Sequence, residues 1–183
     1  MSEEFKRLGR KLIHKGRIID YYQDEIKLPN GNEAIYDFIG HKGAAAMMAV
    51  REDGKILMVR QWRNAIEKYT LEIPAGGLNG IEEPTKEAAI RELKEETGYI
   101  AENVKFLQRI YTTVAFCNEG IDIYLATGLK KKEEQHLDED EFVDVGAYSL
   151  EELVQMIYDG KIEDSKTICA IMTYKSLAAD GKI

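Results

Sequence analysis

Short runs of alternating apolar and polar residues fill the first part of the chain, and they predict strands before any helix. Between residues 10 and 40 these runs are "RKLIHKG", "RIIDYYQDEIKL" and "NEAIYDFI", the last two separated by the turn signal of Pro29, Asn30 and Gly31. They predict a small antiparallel sheet. "AAAMMAV" and "KILMVRQW" follow, joined by a turn at Gly54, and read as a hairpin apolar enough to be partly central. "YTLEIPAGG" reads as a further strand running into a glycine-rich loop.

The period then changes. A helix is predicted from near Pro84, since proline suits a first helical position, through "TKEAAIRELKEET" to a stop at Gly98. Ala89 and Leu93 share one side of it and Glu92 and Glu96 are rotated away, so one side can face a core while the other carries carboxylates. Strands are predicted in "VKFLQRIYTTVAF", "GIDIYLATGL" and "FVDVGAY", with an acidic stretch, Asp138 to Glu141, before the last. Ser149 and Glu152 make a capping box for "LEELVQMIYDG", and an amphipathic helix, "SKTICAIMTYKSLAA", closes the sequence. There is no internal repeat or Pro/Ser-rich linker. Strands first and helices late predict an α/β chain of the α+β kind, a mixed-sheet sandwich and not a regular βαβ series.

Composition narrows the function. At 183 residues and 44% hydrophobic content the chain can build one good core and is short for two independent domains, so one main domain is expected. Net charge is -8, with acidic residues along the whole length, which argues against nucleic-acid and anionic-membrane surfaces because phosphates must be met by clustered Lys and Arg. Partners should be small, or brought in by cations. Cys117 and Cys169 form no CxxC pair, so neither a disulfide framework nor a cysteine zinc site is indicated, and a reducing cytoplasm fits. The start, "MSEEFKRLGRK", lacks an apolar h-region, and no run approaches the ~18 apolar residues of a membrane span. A soluble cytoplasmic protein is expected.

The candidate chemistry lies in "RELKEETGY". Glu92 and Glu96 stand one turn apart on one helix face, where like charges repel by roughly 0.2 to 0.5 kcal/mol per pair. Either solvent screens them or something positive sits between them. Carboxylates on a rigid helix offer oxygen ligands suited to hard divalent cations such as Mg²⁺, with Glu92 and Glu96 as direct ligands and Glu95 and Glu83 nearby. Arg91 can pair with Glu95 one turn on. Gly76 and Gly77 either let the backbone approach a metal or phosphate closely, or simply make a tight turn.

Extended backwards, the stretch is "GLNGIEEPTKEAAIRELKEETGY", and Gly77, Glu83, Arg91, Glu92, Glu95, Glu96 and Gly98 stand at the intervals of G-x5-E-x7-R-E-U-x-E-E-x-G-U. This resembles the box of the Nudix hydrolases. The resemblance implies a Nudix α/β/α sandwich with a mixed sheet over residues 43–183, preceded by an amino-terminal β-sheet segment over 1–42. It implies metal-dependent hydrolysis of a nucleoside diphosphate linked to a further group, with Mg²⁺ or Mn²⁺ as cofactor and the Gly76 carbonyl as a metal ligand.

The layout "VRQWR…LEIPAGG…RELKEETGY" is similar to the ADP-ribose pyrophosphatase branch. That likeness implies cleavage of ADP-ribose to AMP and ribose 5-phosphate, in a homodimer whose amino-terminal sheets help form the pocket. It makes "LDEDEFVDV" the second acidic loop, with Glu139 as base and Glu141 as a further metal ligand, although such a charge run by itself reads equally as a solvated surface loop; Glu95 is the other candidate catalytic carboxylate. Arg63 and Trp62 match a Gln-aromatic-Arg segment that approaches phosphates, although a structural ion pair suits such an arginine equally. Tyr36, Phe116 and Glu72 are the remaining substrate-binding candidates, with Tyr36 either stacking on a base or packing in its sheet.

Two departures stand out. Val114 and Ala115 occupy places where the branch has proline and glycine, and "IYDFIGHKG" differs from the branch's strand. UDP-glucose or another nucleotide sugar therefore stays open as substrate, as does a nucleoside triphosphate. A non-catalytic ADP-ribose-binding module is the reading from another class, and the complete set of box glutamates favours the enzyme over it.

Overall fold

The computed structural model describes residues 4–132, 134–137 and 142–183. Its first strands, β1 (Lys6–Lys15), β2 (Asp20–Lys27) and β3 (Glu33–Gly40), form an antiparallel sheet in the order β1-β2-β3. The turn between β2 and β3 falls where the sequence places it: Gly31 takes φ +85° and donates its N–H to the Leu28 carbonyl at 2.9 Å. Within the sheet Arg10 binds Asp24 through two hydrogen bonds of 2.6 Å and lies 3.7 Å from the centre of the Phe38 ring. The chain divides into two compact units, and the first, Met1–Gly43, also contains Tyr111–Gly120. Ile39 donates its N–H to the Phe116 carbonyl (2.7 Å), and Asn118 Oδ1 accepts from the His41 N–H (2.7 Å).

The second unit, Ala44–Ile110 and Ile121–Ile183, is built around β4 (Ala44–Ala49). It continues with β5 (Ile56–Arg63), β6 (Lys68–Glu72), β7 (Ala75–Gly77), α1 (Thr85–Thr97), β8 (Tyr99–Tyr111), β9 (Gly120–Lys131), β10 (Val143–Tyr148), α2 (Leu150–Tyr158) and α3 (Ser165–Ala179). Two sheets result, in the orders β7-β4-β9-β8 and β10-β5-β6. The first is mixed, because β4 pairs parallel with β9 and antiparallel with β7.

Every residue of β4 is buried, and its alternation divides two cores. Ala44, Ala46 and Met48 pack with Leu153 of α2 and Ala170 and Ile171 of α3. Ala45, Met47 and Ala49 pack with Ala88, Ala89 and Leu93 of α1. Helices thus cover both faces, the α/β/α arrangement, and a strand covered on both faces needs no polar positions.

The same fact corrects one expectation. β4 and β5 do not form a hairpin; a single bridge, Val50 to Ile56, joins them and they lie in different sheets. The turn at Gly54 does form, with φ +78°. However, β4 takes its hydrogen bonds from β7 and β9, whereas β5 takes its own from β6 and β10. The start of the glycine-rich loop is likewise a strand, β7, and Pro84 caps α1 instead of opening its first turn. Gly98 ends α1 in the left-handed region (φ +72°), and both bonds of the Ser149–Glu152 capping box are present. Among the described residues no helix is long and apolar enough to cross a membrane.

Candidate active site

Glu92 and Glu96 are 8% and 2% exposed, as buried as the apolar face of their own helix. The sequence places them on a side turned away from the core. Instead β7 covers them, since α1 packs against that edge strand as well as against β4. Solvent therefore does not screen these charges, and a buried carboxylate requires partners. Glu96 Oε2 accepts the Ala75 N–H at 3.0 Å. Glu92 Oε1 accepts from Arg91 Nη1 at 2.7 Å.

Arg91 is the positive group the acidic run calls for. Its Nη1 also reaches Glu95 Oε2 (3.0 Å), its Nε reaches Glu83 Oε1 (3.2 Å), and its Nη2 reaches the Gly77 carbonyl (3.2 Å). Burial by itself would lower the guanidinium pKa, but hydrogen bonds to Glu83 and the charge of Glu92 outweigh it and raise the value. Glu83 is held below its ordinary value, first by the Asn79 N–H and then by Arg91. One arginine thus ties the glycine loop, the entry to α1 and its acidic face together.

Gly76 shows why the loop must be bare there. A Cβ on Gly76 would lie 2.1 Å from Glu92 Oε1, so any other residue displaces that carboxylate. Among the described residues no group of three or more His, Cys, Asp or Glu side chains is arranged to hold a metal as it stands. The donors that do meet at the loop are all oxygen: the Glu92 carboxylate packed on Gly76, and Glu96 bonded one residue away at Ala75. That set fits a hard divalent cation, and the missing Cβ leaves the backbone approachable.

A second charged group lies on the neighbouring strands. Arg63 Nε and Nη2 bind Glu72 Oε1 and Oε2 at 2.7 and 2.5 Å. Thr70 Oγ1 donates to Glu72 Oε1 at 2.5 Å, and Lys166 Nζ donates to Oε2. Burial alone would raise the Glu72 pKa, but the Arg63 hydrogen bonds and the Lys166 charge bring it down to about 2. Arg63 is raised by its bonds to Glu72, against the effect of burial, and also feels the charges of Asp164 and Glu96. Strand alternation puts Trp62 on the opposite face from Arg63, where it meets Tyr69 edge-on at 5.4 Å.

The structure therefore places Gly76, Glu92, Glu95, Glu96, Arg63 and Glu72 in the second unit, with Trp62 on the far side of its strand. Tyr36 (β3) and Phe116 belong to the first unit, and both are exposed. Glu139 and Glu141 lie outside the described residues. The chain leading to them is anchored on the end of α1: Lys132 and His136 donate N–H groups to the carbonyls of Gly98 (3.0 Å) and Glu95 (2.9 Å). Gln135 Nε2 donates to the carbonyls of Glu96 (2.6 Å) and Val143 (3.0 Å).

Neither Gln135 nor Lys166 emerges from the sequence reading. Gln135 carries no local signal. Lys166 carries one: a lysine in the first turn of a helix opposes that helix's positive end, so it invites a search for a partner acid.

A family model described as the NUDIX domain matches residues 40–171. An ADP-ribose pyrophosphatase of Bacillus subtilis (strain 168) is 40% identical over 171 residues, covering 93% of this chain and 92% of its own. A methanol dehydrogenase activator of Bacillus methanolicus is 42% identical over 169 residues, with 92% and 91% covered. Among solved structures, one described as the crystal structure of ADP compounds hydrolase superposes with TM-score 0.85 at 22% identity, covering 100% of this chain and 99% of that one.

Proposed function

The chain belongs to the Nudix family, and on that footing we propose that it cleaves ADP-ribose at its diphosphate bridge, giving AMP and ribose 5-phosphate. The observation that carries this reading is the pair of buried carboxylates, Glu92 and Glu96, set against the backbone of Ala75 and Gly76. The Bacillus subtilis relative, similar along nearly the whole of both chains, supports ADP-ribose as the substrate.

Glu92, Glu96 and the Gly76 carbonyl would hold Mg²⁺ or Mn²⁺, with Glu141 as a further ligand. A bound divalent ion neutralises charge on a diphosphate and favours in-line attack by water. The remaining roles fall to the chain's own side chains. Arg63 binds a phosphate, and Glu72, itself 2% exposed, acts through Arg63 by fixing its guanidinium. Glu139 takes the proton of the attacking water, with Glu95 as the alternative base. Trp62 in the second unit and, separately, Tyr36 and Phe116 in the first are the exposed aromatic side chains proposed to meet base or ribose.

A homodimer is part of the same proposal. β1 is exposed along nearly its whole length, and Ile18, Ile35 and Tyr36 add apolar surface, which a second copy would cover. The substrate is a small molecule in the cytoplasm, with neither nucleic acid nor membrane as partner.

The deciding experiment incubates the protein with ADP-ribose, UDP-glucose and nucleoside triphosphates, each with Mg²⁺ and with EDTA, and measures kcat/KM for each. The expected result is AMP from ADP-ribose, abolished by EDTA, at the highest kcat/KM of the panel. Binding of ADP-ribose without turnover would make the protein a binding module and sink the enzymatic reading.

A further inference from the structure

Lys166 is an unusual residue to bury. It is 7% exposed in the first turn of α3, where the helix's own partial charge is already positive. Taking an ammonium out of water is unfavourable unless partners compensate it. Its Nζ donates to Asp164 Oδ2 at 2.9 Å, but the start of α3 has other ties: Asp164 caps the helix through the Thr167 N–H at 3.0 Å, and Thr167 Oγ1 accepts the Ile73 N–H at 3.0 Å.

The geometry at Glu72 shows what the lysine does. Oε1 accepts from Arg63 Nε and Thr70 Oγ1, and Oε2 accepts from Arg63 Nη2 and Lys166 Nζ. The carboxylate is thus held by four donors and cannot turn. With Arg63 alone, Glu72 would form a closed neutral pair. Lys166 Nζ also donates to Asp164 Oδ2 at 2.9 Å, so the four side chains are neutral together, and what Lys166 adds at Glu72 is a second cationic donor on the oxygen that Arg63 Nη2 already holds. Arg63 remains partly exposed, and among the described residues its Nη1 has no hydrogen-bond partner.

We propose that Lys166 is a positioning residue for the diphosphate: by holding Glu72 Oε2 it keeps that carboxylate, and through it the Arg63 guanidinium, in the orientation that leaves Nη1 available to a substrate phosphate. This rests on the reading above in which Arg63 binds a phosphate. Lys166 itself touches no substrate, and its effect on hydrolysis passes through Glu72 and Arg63.

The test is a double-mutant cycle on hydrolysis of ADP-ribose and UDP-glucose, using wild type, Lys166→Met, Arg63→Gln, the double variant and Lys166→Arg, with a thermal melt of each. Lys166→Met is expected to lower kcat/KM by about tenfold, mostly through KM, and in the Arg63→Gln background to change it by less than about twofold. Lys166→Arg, which keeps the charge, should recover most of the loss. A wild-type KM in Lys166→Met overturns the proposal, and so does an equal loss in both backgrounds, since a merely structural lysine would act independently of Arg63. Should Lys166→Met fail to fold, Lys166→Gln replaces it in the same cycle, exchanging the ammonium on Glu72 Oε2 for a shorter neutral amide, with the same two outcomes. Failure of the underlying reading looks different: wild type then hydrolyses neither substrate, or Arg63→Gln alone keeps wild-type kcat/KM, and either result removes the inference as well.

Discussion

Gly76 and Glu92 together set the strictest local requirement in the protein. Gly76→Ala would place a methyl group where Glu92 Oε1 now lies, and the flexible end of that side chain can move aside. Stability should therefore change little while kcat/KM falls at least about tenfold; a variant with wild-type activity would show that the carboxylate's position does not matter. Glu72 gives a prediction of another kind. Its pKa is depressed from an ordinary 4.5 to about 2, so its contribution to stability is complete above about pH 4.5 and is lost as pH falls toward 2. The contribution is on the order of 3 kcal/mol. Urea titrations of wild type and Glu72→Gln should therefore differ most near pH 6, and the gap should narrow steadily below pH 4.5; a constant gap would refute the assignment. The box residues were legible in sequence because their spacing is local. The partners of Glu72 were not, because Lys166 approaches it from the far end of the chain, and nothing in "LEIPAG" announces that the carboxylate is shared.

Strands and helices were legible for a similar reason, their pairing less so. The turns at Gly31 and Gly54, the stop at Gly98 and the capping box at Ser149 form where local chemistry puts them. The supposed hairpin of β4 and β5 fails because adjacency in sequence favours pairing without compelling it, and a strand covered on both faces finds its neighbours elsewhere. The burial of Glu92 and Glu96 was hidden likewise: helical periodicity shows which residues share a face, but not that β7 covers the acidic one. At the other end of α1, Gln135 joins the carbonyls of Glu96 and Val143 and so ties the helix to the start of β10. Gln135→Ala should cost about 1 kcal/mol in urea unfolding, the usual worth of such bonds, and should lower kcat by loosening the stem of the acidic stretch that carries Glu139. Unchanged kcat with the stability loss intact would leave Gln135 a purely structural tie.

The chain as a whole combines a helix-covered unit with a sheet that covers itself poorly. A three-stranded sheet needs an apolar face packed against something, yet β1 is exposed almost throughout. Light scattering is expected to give twice the chain mass, and a chain lacking residues 1–42 to give a monomer; a monomeric full-length chain would remove the proposed homodimer. Placing two acids inside the helix-covered unit has a further effect on the folded state itself. An ion that binds this fold but not the unfolded chain adds free energy to it, about 2.7 kcal/mol at a hundred times its dissociation constant. The melting temperature should accordingly rise on titration with Mg²⁺ or Mn²⁺ and fall back with chelator, and Glu96→Gln should blunt that response. If it does, the cation is a structural member of the fold as well as an aid to hydrolysis, and a cell short of divalent ions would hold less of this protein intact as well as less of it at work.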